Sequence, residues 1–145
     1  MAYFFFLGRV IFGGFFVIFG IRHFTRLAAM APYVARKGIP LPEVAVVGSG
    51  ILAVLGGLSI MLGFRPRWGI FLLALFLIPV SGIMHDFWAA ADPATRQANE
   101  VQFAKNVAIL AGALMLLAVP EPWPWSVGHR GGPSRGDHGE SQRSN

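Results

Sequence analysis

Residues 3–24 read YFFFLGRVIFGGFFVIFGIRHF, an apolar run broken only by glycines and Arg9 until Arg22 and His23 near its end. A hydrocarbon core of ~30 Å is crossed by about 20 residues of α-helix. Three further stretches match that length, Val44–Phe64, Trp68–Trp88 and Val101–Val119. A soluble domain of this size would instead place charged residues along one face of each helix. The chain is 54% hydrophobic and 13% charged, the balance of a polytopic membrane protein. The expected fold is all-α: a four-transmembrane-helix bundle over residues 1–120, followed by a disordered tail, 121–145, rich in Gly, Ser, Arg and Asp.

Helical position resolves the first span further. Arg9, Gly13, Phe16, Gly20 and His23 are offset by 4, 7, 11 and 14 residues, which places them within roughly ±40° of one line. Small residues permit close helix approach and ionisable residues avoid lipid, so this stripe is expected to face the other helices. In the second span, Ser49, Ala53 and Gly57 repeat at i+4 and form a small-residue packing track. Between these spans, Thr25–Lys37 reads as a short interfacial helix. Leu27, Met30 and Val34 dip into the membrane while Arg26, Arg36 and Lys37 meet phosphates. Pro32 is expected to delay its start. Pro79, Ser81 and Gly82 predict a kink in the third span.

Cleavage after the first span is not expected, although Ala29-Met30-Ala31 has a small-x-small pattern. No basic residue precedes the run, which also contains Arg9 and exceeds a signal-peptide core. The absence of cysteine excludes thiol–disulfide relays, thiolate metal sites and iron–sulfur clusters, and no metal site is assigned. The net charge of +5 is matched by anionic lipid head groups, and no basic stripe interleaved with aromatics calls for nucleic acid.

Connectivity brings the end of span one, the end of span three and the start of span four to one membrane face. His23, His85, Trp88, Gln102, Lys105 and Asn106 therefore form a candidate polar cup at that edge. Histidine shuttles protons near neutral pH, Lys105 and Gln102 can hold a carbonyl, and Trp88 can stack on a ring. A quinone suits such a place, with its ring among polar groups and its tail in lipid. The alternative is that these residues are interface anchors. Arg9 lies about 21 Å from His23 along the helix, near the opposite face, where Glu121 is its expected partner.

These residues carry a resemblance. Arg9-x-x-x-Gly13, Gly20-x-x-His23-Phe24, Tyr33-x-x-x-Lys37-Gly38-Ile39-Pro40, Leu55-Gly56-Gly57, Leu62-Gly63-x-Arg65, His85-x-Phe87-Trp88 and Gln102-Phe103-x-Lys105-Asn106 occur in order. Over Tyr3–Val119 the chain resembles the DoxX family of small four-helix bacterial and archaeal membrane proteins. The resemblance implies a multi-pass protein of the cell inner membrane. Some relatives are associated with quinone-linked thiosulfate oxidation or with membrane complexes that handle oxidants. Many carry a carboxylate in helix two just before the Gly-Gly pair, where this chain has Ala53.

The leading expectation is a small integral subunit of a redox or respiratory assembly, contacting quinone and a protein partner or a second copy. A non-catalytic scaffold is the alternative, and a solute or lipid carrier ranks third. No enzyme activity is assigned. Four spans put both termini on one side, and basic residues on both faces leave that side open. Topology reporters at the two ends are expected to mark the same face; opposite faces would contradict four spans.

Overall fold

Proline and glycine cut the apolar sequence into helices. The computed structural model describes residues 1–127, in which α1 spans Ala2–Thr25, α2 Leu27–Arg36, α3 Pro42–Leu62, α4 Pro66–Pro79 and α5 Pro93–Met115. A π-helical turn, Val80–Met84, and a 3₁₀ turn, Phe87–Ala89, continue α4; a 3₁₀ turn, Leu116–Ala118, closes α5. Four stretches, Ala2–Thr25, Pro42–Leu62, Pro66–Ala89 and Pro93–Ala118, are long and apolar enough to cross a membrane.

Local chemistry sets the boundaries. Pro42, Pro66 and Pro93 occupy first helical turns, where a missing N–H costs nothing. The Asp92 carboxylate caps α5 by accepting the Thr95 N–H at 2.8 Å. Gly63, with φ +67°, ends α3 in a Schellman arrangement: its N–H reaches Ile60 O and the Phe64 N–H reaches Ser59 O. The Ser59 hydroxyl then donates to Phe64 O at 2.7 Å, so the α3–α4 hairpin is tied by one side chain.

Two glycine contacts hold α1 against α3. A Cβ on Gly13 would lie 2.4 Å from Gly57 O, and one on Gly57 would lie 2.6 Å from Gly13 O. Higher up, a Cβ on Gly20 would stand 2.9 Å from Gly50 O. Backbone thus meets backbone at two points. On another side of α3, Gly56 and Gly69 make the equivalent approach to α4, each added Cβ falling 3.0 Å from the other's carbonyl oxygen. The buried stripe of α1 is Arg9, Gly13, Phe16 and Gly20. That of α3 is Val46, Gly50, Ala53, Gly56, Gly57 and Ile60. Ser49 is off the contact: its neighbour Gly50 takes the place facing α1, and Ser49 turns toward a cavity.

Four expectations are corrected. The fourth span begins at Pro93 rather than Val101, because Asp92 and Pro93 start the helix in the polar stretch. Gln102, Lys105 and Asn106 therefore sit in its third and fourth turns. Pro32 lies inside α2, whose start precedes it. The ordered chain also runs past 120. Trp123 is 2% exposed and packs edge-on to Phe5 at 5.0 Å, while the Val127 N–H bonds Leu62 O at 2.9 Å. Residues 121–127 thus strap the start of α1 to the end of α3; the rest of the expected tail, 128–145, lies outside the described residues. Finally, Glu121 pairs with Arg67 of the hairpin at 3.1 Å and not with Arg9.

The Gly57→Leu substitution is expected to lower the melting temperature in detergent, overpacking costing ~1–3 kcal/mol. Ile51→Leu, on the exposed face of α3, should leave it nearly unchanged. Equal effects would place Gly57 outside the α1 contact.

Candidate functional site

α3 and α4 touch at Gly56–Gly69 and part toward the other membrane face. Proline supplies the divergence: α4 ends at Pro79 and widens into the π-turn Val80–Met84. Within that turn the Ser81 hydroxyl donates to Leu77 O at 2.6 Å, meeting a carbonyl beside the break. The parted helices leave a cavity of about 640 Å³, within the range of small-ligand sites. α1 contributes His23, α3 contributes Val46, Ser49 and Leu52, and bent α4 contributes Phe76, Pro79, Ile83 and His85. α2 covers it with Ala29, Met30, Tyr33 and Val34. Leu75, Pro79 and Ile83 are exposed, so the cavity opens sideways onto the apolar surface of the bundle.

Two bonds clasp α2 over the cavity. The Tyr33 hydroxyl donates to Met84 O at 3.1 Å, and Lys37 pairs with Asp86. Tyr33 and Lys37 are four residues apart and therefore share one face of α2. That spacing was the available signal. The sequence reading assigned Lys37 to phosphate instead, because nothing local says that α2 lies back across the end of α4.

The polar groups of the wall are few and mostly occupied. His23 Nδ1 is 2.8 Å from Phe19 O; a carbonyl only accepts, so this nitrogen carries the hydrogen. The ring stands edge-on to Phe76, with centroids 5.8 Å apart. The Ser49 hydroxyl donates to Val46 O at 2.8 Å. His85 differs: its Nδ1 is buried and has no partner among the described residues.

Of the expected cup, His23 and His85 share this cavity and the other members do not. Trp88, 57% exposed, belongs to an aromatic cluster with Phe87 and Phe103. Gln102 and Lys105 are exposed on α5 and bond each other. Asn106 is buried but lines no part of the cavity. At the opposite end, Arg9 is 2% exposed; its Nη2 donates to Trp125 O at 2.8 Å, and its guanidinium lies 5.2 Å from the Phe6 ring centre. Gly63 makes room for it, since a Cβ there would fall 2.2 Å from Arg9 Nη1. Arg9 thus pins the strap of residues 121–127.

If the clasp holds α2 in place, Tyr33→Phe and Asp86→Asn should each speed amide exchange across residues 27–36. Unchanged exchange would mean that apolar burial of Ala31 and Val34 suffices.

The comparisons agree with this architecture. The DoxX family profile matches residues 4–86, a segment that contains every residue lining the cavity. Inner membrane protein YphA of Escherichia coli (strain K12) is 31% identical over 115 residues, covering 79% of this chain and 81% of that protein. No solved structure matches. With four membrane-length helices and a family match over more than half its length, the chain belongs to the DoxX family of multi-pass membrane proteins.

Proposed function

We propose that this protein holds a quinone-class ligand in the lateral cavity and serves, in the inner membrane, as a small integral subunit of a redox assembly. The cavity itself carries the reading. It is mostly apolar, opens toward lipid between Leu75 and Ile83, and sets two histidines, His23 and His85, among its walls. Such a space suits a ring with one or two polar substituents and a long tail that stays in the bilayer. The relative named an inner membrane protein supports the location. The described residues offer no cluster of three metal-ligating side chains, and the role assigned is ligand holding, with no catalytic step.

Bound quinone, oxidised and reduced together, is measured by solvent extraction and chromatography after mild detergent purification. His23→Phe and His85→Ala are expected to lower occupancy up to roughly tenfold, since one hydrogen bond is worth ~0.5–1.5 kcal/mol. Arg96→Ala should leave it unchanged, because that side chain is exposed in the first turn of α5 and lines no part of the cavity. No quinone in the wild type, or equal amounts in every variant, would overturn the reading.

A partner-binding role is the second reading, favoured by α5. Its residues Val101, Ala104, Ala108, Ala111 and Met115 are all exposed, a face of mostly small side chains suited to another helix. On this reading Ala108→Phe would disrupt a complex that His85→Ala leaves intact.

A further inference from the structure

We infer that the cavity selects hydrogen-bond donors, so that its ligand carries a free hydroxyl: within the quinone class, the reduced quinol rather than the oxidised quinone. The inference rests on the reading that a quinone-class ligand occupies this cavity, and it deepens that reading by naming the chemical form.

Three of the four hydrogen-bonding side chains of the wall have committed their hydrogens to backbone carbonyls. His23 Nδ1–H goes to Phe19 O at 2.8 Å, the Ser49 hydroxyl to Val46 O at 2.8 Å, and the Tyr33 hydroxyl to Met84 O at 3.1 Å. A backbone carbonyl has no hydrogen to give, so the direction of each bond is fixed by its acceptor. What these side chains have left is lone pairs: on His23 Nε2 in the neutral ring, on Ser49 Oγ and on Tyr33 Oη. His85 is the fourth, and its Nδ1 is without a partner among the described residues, so its hydrogen is free to sit on either nitrogen.

A ligand carbonyl can be met by His85 alone, or by pulling a hydroxyl hydrogen off the backbone acceptor that holds it. A ligand hydroxyl takes a vacant lone pair with no such exchange. Because the other lining residues are apolar, an unmet ligand oxygen would have little else to bond, and burial of an unmatched polar group is where discrimination is largest.

The test compares two probes that cannot interconvert by redox chemistry: a phenol carrying a long saturated chain, and its O-methyl ether. Equilibrium binding of each, radiolabelled, is measured to the full chain in detergent. The phenol is expected to bind about tenfold more tightly to the wild type, one hydrogen bond's worth. That preference should shrink in the triple variant His23→Phe, Ser49→Ala, Tyr33→Phe, which removes the three acceptors. Equal binding of phenol and ether, or tighter binding of the ether, would overturn donor selection while leaving the cavity reading in place. Failure of both probes to bind would overturn both. Undiminished preference in a folded triple variant would also overturn the inference, and if that variant does not fold the wild-type comparison decides.

Discussion

The close approach of α1 and α3 at Gly13–Gly57 and Gly20–Gly50 is the contact on which the rest of the bundle depends. Lipid tails are as apolar as leucine, so no hydrophobic drive pushes membrane helices together; close packing has to do it. Glycine allows backbones to touch, and the same device recurs between α3 and α4 at Gly56–Gly69. α3 is thereby gripped on two sides. Because the second grip lies near the hairpin and Pro79 bends α4 at its other end, the helices part where Val46 and Ser49 face Phe76 and Ile83. The cavity follows from a glycine at one end and a proline at the other.

The two membrane faces are built differently. At the hairpin face the strap of residues 121–127 closes the bundle with Trp123 in the core and Trp125 tilted against Tyr3, with ring centres 4.9 Å apart. Arg9 holds that strap from inside. An arginine at the membrane centre costs ~2.5–3.5 kcal/mol on insertion scales, and less toward an end. Here the Trp125 carbonyl, the face of Phe6 and the carbonyl end of α3 at Gly63 offset part of that cost. At the other face the closure is the α2 clasp, made from one ion pair and one tyrosine bond over a mostly apolar hollow. One end is filled and the other is roofed.

Length and hydropathy made the spans legible, and helical spacing made the inward stripe of α1 legible, because both depend only on local geometry. The candidate site was legible in depth but not in azimuth. Connectivity carried His23 and His85 to one face, where they line one cavity, yet it also carried Lys105, Gln102 and Trp88 there, which line no part of it. Ser49 failed for a related reason: Ser49 and Gly50 are both small, and only the partner helix decides which one turns inward. Glu121 was assigned to Arg9 as the nearest carboxylate in depth, but Arg67 of the hairpin stands closer around the bundle. Trp123 fell within the expected disordered tail, whereas Phe5 and the core offered it a buried seat.

The central claim, that a hydrophobic ligand sits between the α1–α3 pair and the bent end of α4, is tested most directly by photolabelling. A long-chain phenol with a diazirine beside its ring would be irradiated with the purified protein and the labelled peptides identified by mass spectrometry. Label is expected on residues 29–34 and 79–85, and it should fall away when unlabelled phenol competes. Label spread over the lipid-facing surface, or concentrated on α5 between Val101 and Met115, would contradict the account.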